Sequence, residues 1–556
     1  MTAVLSNESF LMLLAINMVA AVGMNLVYVT GQLNLGQAGF LAVGAYTLAV
    51  LDAGYGWPLP LSLAAGALAA AVVAFPVALG ANRVRGIYLI MGTLAVGEVV
   101  RVAISNVEAV GGLQGFSGQS PISLTAVVAT LAVVLALAAL VMASPLGLRM
   151  RSIFDDEDAA ASAGVATRRI KILAVVISAA TVAVAGGLLA KFFLFIAPRN
   201  FGVIVSFQIA LFTLIGGVHS LLGALAGAFF VTYLLEFLRI SQDVSWMPSS
   251  LAFLTGWRIV VYGVLVMVIM AALPDGLVSR RLALRLTAPW RWLLRGRSRA
   301  ADRGGPRVLQ APPDPSVVEL EGISHRFGGL VALQEVSFGV REGEILALIG
   351  ANGAGKTTLI DVVAGRHRCQ AGSMRLRGED LAGLRPERRV RAGVSRTFQS
   401  VRMLGHLTVD ECLRLGRLAA GGRAAASVEE LLDLIGLADR RDALPGALSL
   451  ADQRRLEIGR AFASAPRVIF LDEPSVGMNE EERAELGELV QALRDRGSSV
   501  VLVDHNLDLA LGMADRVVVL DFGRVLAVGS PDEVFEDPRV REAYLGSAVV
   551  PGKVVS

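Results

Sequence analysis

Residues 350–357 read Gly350-Ala351-Asn352-Gly353-Ala354-Gly355-Lys356-Thr357, and an apolar run, Ile345 to Ile349, comes directly before them. This spacing predicts a phosphate-binding loop between a buried strand and a helix. In such a loop, backbone N–H groups close on the α/β-phosphates, Lys356 reaches the β/γ-phosphates and the Thr357 hydroxyl ligates Mg²⁺. A helix from Thr358 onward would direct its N-terminus at the phosphates. We therefore predict a P-loop α/β domain in this half of the chain.

The first half of the chain has a different composition. Of the 556 residues, 54% are hydrophobic, and the mean hydropathy is +0.61. No charged residue occurs between Glu8 and Asp52, between Asp52 and Arg83, or between Glu108 and Arg149. These gaps exceed the roughly 20 apolar residues that a spanning helix needs. Charged residues return at ordinary density from about residue 317, so we predict a polytopic α-helical membrane domain followed by the α/β domain.

Nine spans fit the hydropathy. They are predicted at about 10–30, 36–51, 59–81, 87–105, 122–143, 170–190, 203–218, 221–240 and 258–273. Arg83, Arg85, the segment 149–171 and the arginines after 279 fall on one common side, which the positive-inside rule makes cytoplasmic. The N-terminus would then lie outside and the α/β domain inside. The first apolar run lacks the basic region of a cleavable signal peptide, so we expect it to be retained.

These patterns predict four segments. Residues 1–279 form the membrane domain, with a cytoplasmic loop at about 144–169, and 280–316 form a basic and Pro/Gly-rich linker. Residues 317–548 form the nucleotide-binding domain, and 549–556 form a tail. The two cysteines, Cys369 and Cys412, have no metal-ligand spacing, and the net charge of +3 gives no reason to expect nucleic acid as a partner.

One charged pair lies inside a predicted span. Glu98 and Arg101 are three residues apart and share a helix face. Charges within spans are costly and normally face the protein interior. The pair is interpreted either as an internal ion pair near the membrane edge or as a polar wall of a translocation path. The glycines of the spans are likewise read either as helix packing or as the lining of a pathway.

Two further apolar runs, which we predict to be strands, end in acidic residues or a histidine that could act on a bound phosphate. Val468–Leu471 leads into Asp472 and Glu473. Asp472 would hold the Mg²⁺ shell, and Glu473 would polarise the attacking water. A second apolar run, Val500–Val503, leads to Asp504 and His505, and we predict that His505 contacts the γ-phosphate.

In this order the motifs resemble those of the ABC transporter family over nearly the whole chain. The resemblance implies that Phe327 stacks on adenine, although core packing is an alternative. It also implies that Gln399, in Thr397-Phe398-Gln399, is the Q-loop glutamine beside Mg²⁺ and the reacting water, and that Ser475 to Asn479 form the D-loop.

A narrower resemblance is to branched-chain amino acid importers. Three ATPase segments carry it: Arg326–Leu333, Gly477–Asn479 and Asp537–Gly546. Three permease-like segments add to it: Gly31–Phe40, Arg85–Leu89 and Thr93–Glu98. The resemblance implies a natural fusion of the importer's inner-membrane permease and ATP-binding subunits.

The loop between the fifth and sixth predicted spans is similar to the coupling loop of such permeases. The similar residues are Glu157, Ala159, Ala160 and Gly164. The resemblance implies that this loop touches the ATPase. The neighbouring acids Asp155, Asp156 and Asp158 are alternatively a solvated acidic face.

One segment departs from the family pattern. The signature Leu-Ser-Gly-Gly-Gln stands here as Leu448-Ser449-Leu450-Ala451-Asp452. Ser449 is retained as an expected nucleotide contact, but glycine would permit a closer backbone approach, and the Asp452 carboxylate would repel phosphate. We hypothesise that the chain pairs with a different ATPase subunit and that one composite site is weakened. Alternatively, Ala451 suffices and the motif has drifted.

The resemblance implies an ATP-hydrolysing, Mg²⁺-dependent importer of branched-chain or related hydrophobic amino acids in the inner membrane. The expected partners are a second ABC ATPase, a second permease, an extracytoplasmic solute-binding protein, membrane lipid and the small solute. Three alternatives remain: import of urea or another small solute, a homodimeric exporter, and a non-pumping ATP-gated regulator or channel.

Overall fold

The structure is a computed structural model that describes residues 7–240 except Arg85, 258–282 except 274, 275, 280 and 281, and 316–545 except 422, 424, 425 and 505. The described residues form two compact units. The membrane unit comprises those up to Phe154 and those from Thr167 to Ser298, and the cassette unit comprises Asp155–Ala166 and those from Arg299 onward. The predicted tail lies outside the described residues, as does the predicted linker apart from Leu282 and Ser316.

The membrane unit consists mainly of helices, which are apolar except for the amphipathic helix α6. They are α1 (Glu8–Tyr28), α2 (Gln37–Tyr55), α3 (Leu59–Ala81), α4 (Ile87–Ser105), α5 (Leu124–Ala143), α6 (Pro145–Asp155), α8 (Thr167–Phe193), α9 (Val203–Gly216), α10 (Leu221–Ile240) and α11 (Arg258–Ala272). Helix α7 (Glu157–Ser162) belongs to the cassette unit.

Each predicted span coincides with one of these helices. By length and composition, 7 described helical stretches can cross a membrane: α1 to α5, α8 and the stretch Pro198–Gly216 that contains α9. The apolar stretches Leu221–Phe237 and Gly263–Ala272, in α10 and α11, are shorter. The presence of the helices is confirmed, and the number of spans stays a prediction.

Glycines set the distance between the central helices of the membrane unit. A Cβ atom added to Gly44 on α2 would lie 2.0 Å from the carbonyl oxygen of Ala183 on α8. One added to Gly186 on α8 would lie 1.9 Å from the carbonyl oxygen of Leu41. Only glycine permits two backbones to approach so closely. At these positions the structure supports the helix-packing interpretation.

Asp52 with Lys191, and Glu98 with Arg101, form ion pairs in the membrane unit. Lys191 Nζ lies 2.7 Å from Asp52 Oδ1 and also donates to the Ser120 hydroxyl. Beside this cluster, β1 (Phe116–Ser117) pairs with β2 (Phe195–Ile196) in an antiparallel ladder. Arg101 Nε lies 2.7 Å from Glu98 Oε2, so the predicted ion pair forms.

The cassette unit contains two sheets. Their strands are β3 (Val318–Phe327), β4 (Leu330–Val340), β5 (Ile345–Gly350), β6 (Ala371–Leu376), β7 (Glu379–Asp380), β8 (Val394–Arg396), β9 (Val468–Asp472), β10 (Ser499–Val503), β11 (Arg516–Asp521) and β12 (Arg524–Gly529). The larger sheet has the order β12-β11-β5-β10-β9-β8 and the smaller one the order β4-β3-β6-β7. All pairs of the larger sheet are parallel except β11 with β12. Every residue of β5, β9 and β10 is buried, as expected of central parallel strands.

Helices cover and connect these sheets. They are α12 (Lys356–Val363), α13 (Pro386–Ala392), α14 (Val409–Arg417), α15 (Val428–Leu434), α16 (Leu450–Phe462), α17 (Glu480–Asp495), α18 (Leu507–Met513), α19 (Pro531–Glu536) and α20 (Pro538–Leu545). Helix α12 begins at Lys356, two residues before the predicted start. The reason is local, because Gly355 takes a left-handed conformation as N-cap and Lys356 is already helical.

Candidate nucleotide site and coupling segment

The phosphate-binding loop connects β5 to α12. Gly353 and Gly355 have φ angles of +83° and +103°, a region that residues with a side chain avoid. A Cβ atom on Gly355 would also lie 2.6 Å from the carbonyl oxygen of Ala332. Asn352 is exposed, Ala354 is buried, and Thr357 and Thr358 are half-buried in the first turn of α12. The two glycines therefore allow the turn that the predicted motif requires.

The ammonium group of Lys356 is held over this loop. Its Nζ donates to the carbonyl oxygens of Gly350 at 2.7 Å and Ala351 at 3.0 Å. Burial lowers the pKa of Lys356, while the charges of Glu473 and Asp472 raise it. The lysine therefore lies in the electrostatic range of both acids, which stand at the end of β9, two strands away from β5 in the sheet.

Asp472 is a buried carboxylate that lacks a hydrogen-bond donor among the described residues. Its side chain is fully buried, and neither carboxylate oxygen accepts a hydrogen bond from the described residues. The closest cation is Arg396, whose Nη2 lies 3.9 Å from Oδ2. Burial raises the pKa of Asp472 to about 6. Buried polar groups are normally paired, so this carboxylate is suited to holding a cation such as Mg²⁺.

Glu473 follows in an unusual backbone conformation. Its φ angle is +48°, and its backbone N–H donates to the carbonyl oxygen of Val503 at 2.7 Å. The Gln399 side chain donates from Nε2 to Glu473 Oε2 at 3.0 Å. Strained backbone of this kind clusters at functional sites. In the structure, the predicted Q-loop glutamine is therefore hydrogen-bonded to the predicted catalytic acid.

The end of β10 lies close to the same acids. β10 pairs with both β5 and β9, so the three strands end at one edge. Asp504 accepts from the Ser475 hydroxyl at 2.6 Å and from its N–H at 3.1 Å, which ties the predicted D-loop to this edge. His505, the predicted γ-phosphate contact, lies outside the described residues.

Phe327 is a surface aromatic residue rather than a core residue. Its side chain is 44% exposed. Two histidine rings meet it in tilted, edge-type contacts, His325 at 4.6 Å and His367 at 5.1 Å between centroids. The core-packing alternative is wrong, and Phe327 has exposed area for a planar ligand.

The divergent signature segment caps α16. Ser449 Oγ accepts the N–H of Asp452 at 3.1 Å. Asp452 Oδ1 lies 2.6 Å from Arg455 Nη2, and Arg455 also pairs with Glu485 at 2.9 Å. The charge of Asp452 is therefore partly compensated within the helix, because Arg455 is shared with Glu485, and the expected repulsion of phosphate is reduced but not removed. Leu450, in place of a glycine, is 54% exposed.

The predicted coupling residues pack within the cassette unit. Ala159 and Ala160 on α7 are completely buried. Gly164 has φ +78°, and a Cβ atom there would lie 2.3 Å from the Ala419 side chain. Its carbonyl oxygen accepts a hydrogen bond from Arg391 at 3.4 Å. Side chains larger than those of Ala159, Ala160 and Gly164 would not fit at these three positions.

The acids around α7 face basic side chains. Asp156 pairs with Arg402 at 3.1 Å, and Asp158 pairs with Arg402 at 3.1 Å and with Arg366 at 3.2 Å. Asp155 pairs with His406. The alternative of a solvated acidic face is wrong for Asp155 and Asp156, whereas the Asp158 side chain is paired but 45% exposed.

Comparisons with known proteins cover both units. Residues 7–270 match the family described as branched-chain amino acid transport system / permease component. Residues 333–476 match the ABC transporter family, and residues 524–550 match the branched-chain amino acid ATP-binding cassette transporter family. The high-affinity branched-chain amino acid transport ATP-binding protein LivG of Salmonella typhimurium is 38% identical over 251 residues, which are 42% of this chain and 98% of that protein.

The chain belongs to the branched-chain amino acid ABC transporter family. The corresponding Pseudomonas aeruginosa protein, BraF, is 34% identical over 251 residues, again 42% of this chain and 98% of that protein. A crystal structure of a nucleotide-free ATP-binding cassette from an ABC transporter is 29% identical, with a TM-score of 0.38, and covers 41% of this chain and 98% of that one. The ABC transporter chain fuses permease and ATPase components, and its ATPase couples hydrolysis to transport. Its apolar helices make it a multi-pass membrane protein.

Sequence reasoning missed four side chains of this ABC transporter site. Arg454 and Glu457 form a buried ion pair at 2.9 Å, and Glu457 Oε1 accepts the N–H of Phe398 at 3.2 Å. Arg396 and Arg402 lie beside the same phenylalanine. The spacing of Arg454 and Glu457 on a predicted helix is the signal that could have revealed the first pair.

Proposed function

We propose that the chain is the permease-ATPase fusion subunit of an ATP-driven importer for branched-chain or related hydrophobic amino acids. The observation that carries this proposal is the pairing, in one chain, of a branched-chain-type permease region with a cassette whose C-terminal region is also of branched-chain type. The relatives LivG and BraF are described as high-affinity branched-chain amino acid transport ATP-binding proteins, which supports branched-chain amino acids as the solute.

We assign the ATP site to the residues at the edge of the larger sheet. The phosphate loop with Lys356 binds the phosphates, and Phe327 and Ser449 contribute further nucleotide contacts. Thr357, Gln399 and Asp472 would hold Mg²⁺, and the lack of a hydrogen bond to the Asp472 carboxylate from the described residues supports this assignment. Mg²⁺, when bound, neutralises charge that develops on the transferred phosphoryl group.

Hydrolysis depends on Glu473, the acid that follows Asp472 in the sequence. Glu473 orients and polarises the attacking water and receives its proton, because its carboxylate is the strand-end acid beside the phosphate loop. Gln399 holds one oxygen of that carboxylate, at 3.0 Å. His505 is assigned to the γ-phosphate on its sequence position after β10.

We assign energy transmission to the segment Glu157–Gly164. Its buried alanines and its ion pairs support a tight connection with the ATPase. Movement of the cassette on ATP binding would then move the ends of α6 and α8, which flank the segment in sequence. The domain boundaries that we propose are 1–279, 280–316 and 317–548, with the N-terminus outside and the cassette in the cytoplasm.

The proposed assembly contains a second permease, a second ATPase and an extracytoplasmic solute-binding protein. Because Leu450 and Asp452 replace signature residues, we propose that the second ATPase is a different chain and supplies an intact signature to the site of Lys356 and Glu473. The second composite ATP site receives the signature segment of this chain. The pairing of Asp452 with Arg455 limits its defect, so its activity would be reduced rather than abolished.

The test is uptake by the purified complex in proteoliposomes, with each solute presented by the co-purified binding protein. We expect ATP-dependent accumulation of radiolabelled leucine, isoleucine or valine. As a control, Lys356→Ala should abolish accumulation without changing the composition of the complex. Accumulation of urea but not of leucine would refute the substrate, and recovery of a homodimer that expels solute would refute import.

A further inference from the structure

A cavity of about 240 Å³ lies between helices α1, α9 and α10 of the membrane unit. Four residues of its wall are polar: Asn17, Gln208, Thr232 and Glu236. Three others are apolar: Phe10, Leu13 and Leu235. Polar and ionisable side chains within membrane helices are costly and are typical of solute pathways. The wall therefore combines the polar and apolar surfaces that a small amphipathic ligand requires.

The wall of the cavity is held by contacts between helices. Asn17 Nδ2 donates to Thr232 Oγ1 at 3.0 Å, which joins α1 to α10. Phe10 is only 4% exposed and packs with Leu14 and Tyr233 in one apolar cluster. Because these side chains are already ordered, a ligand that binds here loses little free energy to ordering them.

The floor of the cavity is an apolar cluster one helical turn along the same three helices. It contains Ala21 on α1, Phe212 on α9 and Ala228 on α10, each no more than 1% exposed. Each of them lies four residues from a polar residue of the wall on its own helix. With the N-terminus outside, as proposed above, this floor lies on the cytoplasmic side of the cavity. At these three helices, packed side chains therefore separate the cavity from the cytoplasm.

The groups of the wall match the parts of a free hydrophobic amino acid. Glu236 is half-buried, and a carboxylate accepts several hydrogen bonds at once, so it can bind an ammonium group beside its neighbours in the chain. The amides of Asn17 and Gln208 carry N–H donors for a carboxylate. Phe10 and Leu13 present hydrocarbon to an aliphatic side chain. The volume lies below the roughly 300–1,000 Å³ of pockets for drug-sized ligands, which suits a small solute.

We propose that this cavity binds the transported amino acid inside the membrane unit. Glu236 binds the α-ammonium group, Asn17 and Gln208 bind the α-carboxylate, and the apolar part of the wall receives the side chain. This assignment rests on the proposed import of branched-chain or related amino acids and names their site in the membrane. The solute is then selected a second time after the binding protein releases it.

The test measures how solute protects a cysteine in the complete complex, in detergent and without the binding protein. Leu235→Cys places a thiol in the cavity wall, Cys369→Ser removes the half-buried native thiol, and Cys412 is buried. We expect leucine at ten times its dissociation constant to slow labelling by N-ethylmaleimide about tenfold, because about one site in eleven is then empty. Isocaproate, which is leucine without the α-amino group, should not protect at the same concentration. Peptide mass spectrometry measures the labelling.

Two further variants test the charge and the space of the cavity separately. In the Leu235→Cys background, Glu236→Gln should raise the leucine concentration for half-protection about 10–100-fold, the usual effect of losing a hydrogen bond to a charged group. Leu13→Phe reduces the space and should lower the uptake of leucine into proteoliposomes more than that of valine. Ile204→Phe, at an 82% exposed site on α9, is the matched control and should leave the ratio of the two uptake rates unchanged.

Three results would overturn the proposal. They are equal protection by leucine and isocaproate, unchanged half-protection in Glu236→Gln, and absence of labelling in the Leu235→Cys complex because lipid or the second permease fills the cavity. Two others separate the site from the substrate. An unprotected thiol in a complex that accumulates leucine would refute the site alone, whereas protection by urea and not by leucine would refute the proposed substrate and the role of Glu236.

Discussion

Gln399 and Glu473 are joined by a hydrogen bond of 3.0 Å between Nε2 and Oε2. The two residues follow different strands, Gln399 after β8 and Glu473 after β9. The orientation of the carboxylate is thus fixed from two directions, by its own left-handed backbone and by the amide. A base held in this way is prepared to accept a proton from a water on its other side.

Replacing the carboxylate of Glu473 should stop hydrolysis and spare binding. For Glu473→Gln we expect kcat to fall by about 10²–10⁴, the usual contribution of a positioned general base. ATP affinity should be retained, because the phosphate loop is unchanged. Hydrolysis and equilibrium nucleotide binding check the two halves of this prediction. Glu488→Gln, at an exposed site on α17, is the control. Loss of binding in Glu473→Gln would contradict the assignment.

The buried charge of Asp472 should destabilise the nucleotide-free cassette. A pKa raised from 3.8 to about 6 corresponds to a cost of roughly 3 kcal/mol for the ionised form. Asp472→Asn should therefore raise the free energy of unfolding by about 1–3 kcal/mol above pH 6. The stability difference between variant and wild type should shrink as the pH falls from about 6 to 3.8, because Asp472 of the wild type is then protonated and no longer a buried charge.

Denaturant unfolding at several pH values measures this effect, and Mg²⁺-dependent nucleotide binding should be lost in the same variant. Asp495→Asn serves as the control, since that side chain is 67% exposed. A variant that is less stable than the wild type at pH 7 would show that Asp472 is satisfied by a partner in the folded chain.

Close helix packing in the membrane unit should tolerate no methyl group at Gly186. A Cβ atom there would lie 1.9 Å from the Leu41 carbonyl oxygen, so Gly186→Ala must separate α2 from α8. Overpacking of this kind costs about 1–3 kcal/mol. We expect a lower thermal midpoint in detergent, measured by size-exclusion chromatography after heating. Gly92→Ala, where nothing lies within 4 Å, should be neutral or stabilising. Equal midpoints would contradict the packing.

The two cysteines should differ in reactivity. Cys412 is 1% exposed, and burial raises its pKa to about 12, so almost no thiolate is available. Cys369 is half-buried and should react with N-ethylmaleimide at least ~10-fold faster at pH 7.5. Peptide mass spectrometry measures the two rates. Denaturation should make them similar, and equal rates in the native chain would contradict the burial of α14.

Local pattern was enough to predict much of this molecule. The phosphate loop, the strand ends carrying Asp472 and Asp504, and a helix at each hydrophobic run follow from spacing and hydropathy, which depend on neighbours in sequence. The pairing of Asp452 with Arg455 is also local, at three residues' separation on α16, and helix geometry could have predicted it.

The remaining features depend on contacts between distant parts of the chain. Arg402 and Asp156 are separated by 246 residues, and no periodicity in either segment identifies the other. The lack of a hydrogen-bond donor to Asp472 among the described residues is likewise a property of its surroundings, not of its motif. Exposure decided the interpretation of Phe327, because the sequence alone left both a stacking and a core role open.

The segment Asp155–Ala166 is synthesised early but is buried only later, when the cassette unit folds around it. A ribosome synthesises it before the last membrane helices and before every strand of the cassette unit that receives it. Ala159 and Ala160 therefore become buried only after the part of the cassette that contacts their segment, which includes Arg391, Arg402 and Ala419, has been synthesised. Covalent continuity makes their docking an intramolecular step, the closure of a loop within one chain. Cutting the chain between Ser298 and Ser316 would turn that closure into an encounter between two separate molecules.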